Sequence, residues 1–181
     1  MDSSLNIESL KERLPEYARD IRLNLSSVLQ QDEATGLSLN QVLGIALASA
    51  YATKNQTVVN ALLGAAQNAL TAEETNAARA AATIMAMNNI YYRSTYMAQD
   101  EEIGQMPARL RMNIIGNPGV DKTTFELYSL AVSAINGCTA CVVSHSTAIQ
   151  SHGLPKAAVQ HVFKIAAVLN AAAQALFIQG E

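Results

Sequence analysis

The stretch Ala131-Val132-Ser133-Ala134-Ile135-Asn136-Gly137-Cys138-Thr139-Ala140-Cys141-Val142-Val143-Ser144-His145 reads as the end of one helix, a stop, and the start of another. Asn136-Gly137 is a helix C-terminal signal, because glycine takes the left-handed conformation there without a Cβ clash. The chain restarts at once with Cys138, Cys141 and His145, whose spacing puts them on one helical face. These two cysteines are the only ones in the chain. A dithiol so spaced can close into a small disulfide ring and reopen. A neighbouring imidazole can accept a thiol proton or stabilise a thiolate.

Working outward, apolar spacing of three and four recurs along nearly the whole chain, and period-two alternation is almost absent. Half of the 181 residues are apolar, aromatics are 5% and Trp is absent. Ala dominates the apolar set, which favours close-packed helices, since Ala is the best helix former and a poor strand residue. Ile7, Leu10 and Leu14 mark a short first helix, and Pro15 is placed to start a second carrying Ile21 and Leu25. Ser38 with Gln41, and Thr71 with Glu74, are capping boxes. They open helices reaching about Ala52 and towards Tyr92 or Met97, with another helix between them from about Asn55. From Asp100 to Pro107 the charge rises and the pattern breaks. Asn117-Pro118-Gly119 is a turn signal, and Asp121 can cap the next helix. Gly153 stops the dithiol helix, and Pro155 suits the first turn of a final helix to about Phe177.

The expectation is an all-α single domain over residues 1–181. It is a compact bundle of about eight helices, with the dithiol at the N-terminal end of a buried helix. A shift of 84 residues, from Leu70 to Leu154, also aligns Ser49-Ala50 with Ser133-Ala134 and Val58-Val59 with Val142-Val143. Residues 38–98 and 121–178 are therefore a candidate internal repeat, with Lys54 and Ala61 where Cys138 and His145 stand.

Net charge is −3 with no basic block, so neither nucleic acid nor an anionic membrane surface is an expected partner. Met1-Asp2-Ser3-Ser4-Leu5 lacks the flank and apolar stretch of a signal peptide. The best apolar run, Ile165 to Ile178, is interrupted by Asn170 and Gln174 and is shorter than the roughly 18 residues of a spanning helix. A cytoplasmic protein is expected, and in that reducing compartment a two-cysteine motif is catalytic or metal-binding sooner than a permanent staple.

Two features can raise the thiolate fraction. Gly137 puts Cys138 at a helix start, where the dipole favours an anion by up to about 2 kcal/mol, or roughly 1.5 pKa units. His145, one turn beyond Cys141, can act as its base or counter-ion. The first feature nominates Cys138 as nucleophile and the second Cys141, and spacing leaves both open. Glu126, acidic within the apolar stretch Phe125 to Ile135, can poise the histidine if the two helices lie side by side. A first-turn residue answering the macrodipole is its commoner role. A zinc site of Cys138, Cys141 and His145 with His152 or His161 is disfavoured, because ligands on one helix do not easily surround a tetrahedral ion. His152 and His161 otherwise read as helix-surface or interface residues, Tyr91, Tyr92 and Tyr96 as packing or subunit contacts, and Arg109 and Arg111 as a solvated face. The six Met residues read as core filler. No glycine-rich strand-to-helix turn of a nucleotide or flavin site is present.

Glu126, eleven further residues, then Cys138-x-x-Cys141-x-x-x-His145 resembles the signature of the alkyl hydroperoxide reductase D group within the carboxymuconolactone decarboxylase-like family. The likeness extends to Leu14-Pro15-Glu16-Tyr17-Ala18, Met87-Asn88-Asn89, Arg111-Met112-Asn113-Ile114-Ile115 with Asn117-Pro118-Gly119, and Ala131 to Gly137. The resemblance implies an all-helical antioxidant protein that assembles as a homotrimer and binds no cofactor. It implies weak reduction of organic hydroperoxides, and electron delivery to a partner peroxiredoxin (AhpC). Dihydrolipoamide on a lipoyl domain of a 2-oxoacid dehydrogenase complex, with its dihydrolipoamide dehydrogenase, would supply the electrons. By the same resemblance Cys141 is the peroxide-attacking cysteine that passes through sulfenic acid and carries the mixed disulfide with the partner. Cys138 is the proton donor and resolving cysteine, and Glu126 and His145 are the proton-relay pair. Some members carry a second histidine just before the second cysteine; here that residue is Ala140. A decarboxylase-like role is disfavoured, since that reaction does not need paired redox thiols.

Overall fold

The computed structural model describes residues 6–181. Among them are ten α-helices and no strand. Asn6 caps α1 (Ile7–Arg13), its Oδ1 accepting from the Ser9 N–H at 3.0 Å. Pro15 opens a short 3₁₀ turn, Glu16–Ala18, which leads into α2 (Arg19–Val28). The two expected capping boxes form, starting α3 (Leu39–Thr53) from Ser38 and α5 (Ala72–Met97) from Thr71. Between them lies α4 (Gln56–Ala66), capped by Asn55. An exposed arm carries α6 (Glu101–Gln105) and α7 (Asn113–Gly116), which take the count from the expected eight or so to ten. Neither buries a residue, so periodicity had nothing to register; α6 is held by Asp100, whose Oδ1 accepts from the N–H groups of Glu102 and Ile103. Asp121 caps α8 (Lys122–Ile135), Cys138 caps α9 (Thr139–Ser151), and Pro155 precedes α10 (Lys156–Ile178).

The core is built around α3, which packs on α4, α5, α8 and α10. Small residues let these backbones approach closely. At Gly44 on α3 the ring of Tyr128 from α8 fills the space a side chain would need, so a Cβ there would lie 2.0 Å from the Tyr128 hydroxyl oxygen. By length and composition α10 is apolar enough to cross a membrane, more so than the run expected from the sequence. Its apolar character is accounted for by the fold, where Ile165, Leu169, Ala172 and Leu176 are fully buried and it packs against α2, α3 and α8. His161 also lies on this inner face, only 6% exposed, and not at the surface as its type suggested.

The helices recur in order. The caps Ser38 and Asp121 are 83 residues apart, as are Asn55 and Cys138, while Thr71 and Pro155 are 84 apart. At the dithiol this displaces the sequence alignment by one residue. Lys54 (φ 60) corresponds to Gly137 (φ 67), both left-handed, and Asn55 corresponds to Cys138, both N-caps.

Candidate functional site

The dithiol sits on a turn fixed from outside itself. Asn136 ends α8, Gly137 reverses the chain with a left-handed φ, and Cys138 begins α9. Asn89 on α5 holds this junction: its Nδ2 donates to Ser133 Oγ at 2.9 Å and its Oδ1 accepts from Asn136 Nδ2 at 3.0 Å. One turn further along α5, the Arg93 guanidinium donates to the Asn136 carbonyl. Asn89 is fully buried with both ends of its amide paired, as a buried carboxamide requires.

Cys138 and Cys141 are joined as a disulfide, with Cα atoms 5.3 Å apart. The Cys138 sulfur accepts from the Cys141 N–H at 3.3 Å. It thus fills the place that the Asn55 side chain fills for the Val58 N–H at 3.1 Å. The helix is only half buried. Both sulfur-bearing residues face inward, while Val143 on the outer face is 60% exposed.

The two cysteines differ in access. Cys141 lines a cavity of about 390 Å³, while Cys138, 0% exposed, lies behind it. Met85 and Tyr92 of α5 and Met112 and Ile115 of the arm make most of the wall apolar. Among the wall residues from α5, Asn88 has a buried carboxamide oxygen with no hydrogen-bond partner.

Glu126 and His145 meet in this cavity, with Glu126 Oε2 2.6 Å from His145 Nδ1. Because α8 begins at Lys122 and Asp121 already caps it through the Thr124 N–H, Glu126 lies beyond the first turn and faces α9. The first-turn macrodipole role is thereby corrected. The other ring nitrogen, Nε2, lies 3.3 Å from Met85 Sδ. His145 therefore shares the cavity with Cys141, yet both ring nitrogens are taken up elsewhere.

Met85, Asn88 and Asn89 are contributions that side-chain chemistry alone did not single out. The available signal was their spacing on α5 with Tyr92, which places Met85, Asn88 and Tyr92 on one helical face. Of the remaining candidates, His152 is an exposed residue at the end of α9. Arg109 and Arg111 are exposed on the arm. Tyr91 and Tyr92 pack edge to face with ring centroids 5.2 Å apart. The described residues contain no group of three or more His, Cys, Asp or Glu able to hold a metal ion. Tyr128 is buried beneath α3, and burial foremost, then the charges of Glu74 and Asp121, push its hydroxyl pKa up, so it remains a neutral phenol.

A helical core that closes a Cys-x-x-Cys disulfide at a helix N-cap, next to a carboxylate–imidazole pair, defines an all-α dithiol–disulfide protein. The model of the carboxymuconolactone decarboxylase family matches residues 101–178, from α6 to the end of α10. The chain is 48% identical over 175 residues to the alkyl hydroperoxide reductase AhpD of Coxiella burnetii (strain RSA 493 / Nine Mile phase I), covering 97% of this chain and 99% of that one. Proteins of the same name from Bradyrhizobium sp. (strain ORS 278) and Rhodospirillum centenum (strain ATCC 51521 / SW) are 47% and 46% identical. They cover 97% and 95% of this chain, and 96% and 91% of their own lengths. The chain belongs to the AhpD group of the carboxymuconolactone decarboxylase family.

Proposed function

We propose that the protein is an antioxidant thiol peroxidase and disulfide reductase that cycles its Cys138–Cys141 pair between dithiol and disulfide. The observation that carries this reading is the access of Cys141, alone of the two sulfurs, to an apolar cavity that also holds the Glu126–His145 pair. The cavity is large enough for a small organic hydroperoxide or the dithiolane end of a lipoyl arm.

In the peroxide half-reaction the Cys141 thiolate attacks the distal peroxide oxygen and breaks the O–O bond. Cys141 becomes a sulfenic acid, and the alkoxide leaves as an alcohol with a proton from Cys138. The Cys138 thiolate then attacks the sulfenic sulfur and closes the disulfide, and the departing hydroxide takes up the proton that His145 removed from Cys141 and leaves as water. In the other half-reaction a dihydrolipoyl group reopens the ring by thiol–disulfide exchange and is itself oxidised. An oxidised AhpC-type peroxiredoxin accepts electrons from the reduced dithiol by the same exchange, through a mixed disulfide at Cys141. The lipoyl domain of a 2-oxoacid dehydrogenase complex and its dihydrolipoamide dehydrogenase complete the supply, in the cytoplasm. A homotrimer is part of this reading, supported by exposed Ile90, Tyr96, Met97 and Met106 along α5 and the arm. So is a single duplicated domain in which only the second copy keeps the chemistry, supported by the matching caps.

One observation favours a second reading, an electron carrier with little peroxidase activity of its own. His145 must turn before it can take a proton from Cys141, whereas opening of the disulfide by an incoming thiolate needs no such turn. Stopped-flow oxidation of the reduced dithiol separates the two. Rapid disulfide closure by an organic hydroperoxide establishes the peroxidase, and slow closure with fast transfer to oxidised peroxiredoxin establishes the carrier. Cys141→Ser is expected to abolish both; normal turnover by that variant would refute the assignment.

A further inference from the structure

Asn88 and Asn89 are consecutive on α5, about 100° apart around the helix axis, and their carboxamides are used differently. Asn89 is paired at both ends and holds the turn before the dithiol. Asn88 lines the cavity that Cys141 lines and is only 5% exposed, yet its Oδ1 has no hydrogen-bond partner among the described residues. A buried amide left unpaired lowers stability, so an asparagine among Met85, Met112 and Ile115 calls for a reason other than packing. The remaining polar groups of the cavity do not pair with it. Glu126 and His145 are engaged with each other, and Tyr92 and Ser144 are exposed, on the solvent side.

We propose that Asn88 is a substrate-binding residue, whose carboxamide hydrogen-bonds the O–O–H end of a small organic hydroperoxide and holds the reacting oxygens in the cavity that Cys141 lines. Met85, Met112 and Ile115 then enclose the organic group. The terminal torsion of asparagine is soft, so the carboxamide can turn either Oδ1 or Nδ2 towards the ligand. A hydroperoxide answers both, with an O–H donor and with oxygen acceptors. The dithiolane ring of a lipoyl group has neither N–H nor O–H and offers only weakly accepting sulfur, which leaves the amide without a good partner. Asn88 therefore favours the peroxide over the lipoyl ring as occupant of the same cavity.

The identity of the ligand rests on the peroxide half-reaction proposed above, whereas recognition of a hydroxyl does not. The alcohol that the reaction releases carries a hydroxyl without the O–O bond, so it binds without being reduced and probes the subsite in the disulfide form. The unpaired amide also gives a second signature. Removing it should leave the fold at least as stable as before, whereas removing a carboxamide that holds the structure together would do the opposite.

The test compares benzyl alcohol with ethylbenzene, which has a methyl where the alcohol has its hydroxyl. Each is titrated by NMR into the full-length disulfide form of the parent and of Asn88→Leu, which keeps the branched shape of the side chain without its polar atoms. The ratio of the two dissociation constants should shift by about tenfold against the alcohol in the variant, the effect of one buried hydrogen bond. On the reduced proteins, kcat/KM for benzyl hydroperoxide should fall by a similar factor. The Tm of Asn88→Leu is expected at or above the parental value, and Asn88→Ala repeats the comparison without added bulk. An unchanged ratio of dissociation constants in either folded variant overturns the proposal. A Tm that falls in both marks a structural carboxamide and overturns it as well. A dithiol inert to hydroperoxides would refute the peroxidase reading and leave the hydroxyl site in place.

Discussion

Gly44→Ala tests the closest packing contact in the core. The new methyl would lie 2.0 Å from the Tyr128 hydroxyl oxygen and 2.3 Å from its Cζ, about 1.5 Å short of ordinary contact. Tyr128 is fully buried, so its ring cannot swing into solvent, and α3 and α8 must part or the ring must leave its rotamer. Overpacking of this kind costs typically about 1–3 kcal/mol and at times more. Against it stands a gain of up to about 1 kcal/mol from replacing glycine in a helix. The variant should lose roughly 2 kcal/mol net, seen as a fall in Tm of about 4–8 °C for a chain of this size. Tyr128→Phe added to it should recover little, because Cζ still collides. Tyr128→Leu should recover most of the loss, with a coupling of at least about 1 kcal/mol in a double-mutant cycle. Urea unfolding of the four proteins reads this directly. A Gly44→Ala protein as stable as its parent, or effects of the two substitutions that simply add, would refute the reasoning. Because Tyr128 and Glu126 share α8, the same variant should also loosen the Glu126–His145 contact.

Burial above all lowers the pKa of His161 from its ordinary 6.5, with Lys164 lowering it further and the Val28 backbone and Asp32 acting the other way. Below that value the unfolded chain binds a proton that the folded chain refuses. Stability should therefore fall as pH drops from about 7 through 6.5, by at most about 1.4 kcal/mol per pH unit, and a Tm–pH series on His161→Leu should show that step removed. Asn89→Ala leaves the Ser133 hydroxyl and the Asn136 amide without their partner. A loss of about 2–3 kcal/mol is expected, and hydrogen exchange should show the amides of Gly137 and Cys138 losing protection before those of α3. Parental protection at that turn in the variant would show that α5 does not hold it.

The caps were the most legible part of the fold, because capping is a local exchange between a side chain and N–H groups two or three residues away. Ser38, Thr71 and Asp121 each start a helix where their side chains indicated. The short arm helices escaped notice for the opposite reason, since helices that bury nothing leave no apolar stripe. His161 was misread from its type, although Ala158 and Ile165, three before and four after it, mark the inner face of α10. At the site, the dithiol and Glu126 were visible as candidates. The contact that holds the other side of the imidazole was not, because Met85 lies 60 residues away in sequence and a methionine in an Ala-rich helix has the look of ordinary core.

The capping turn shared by Asn55 and Cys138 implies that the first half of the molecule can serve as its own chemical blank. With the caps aligned, Asn55 and Val58 stand where Cys138 and Cys141 stand, while Leu43 and Leu62 occupy the places of Glu126 and His145. Asn55→Cys with Val58→Cys would transplant the ring onto a matching backbone that offers no proton donor or acceptor in those places. Whatever separates the two rings in potential, rate or pH response could then be ascribed to the neighbours of the sulfur and not to the helix that bears it.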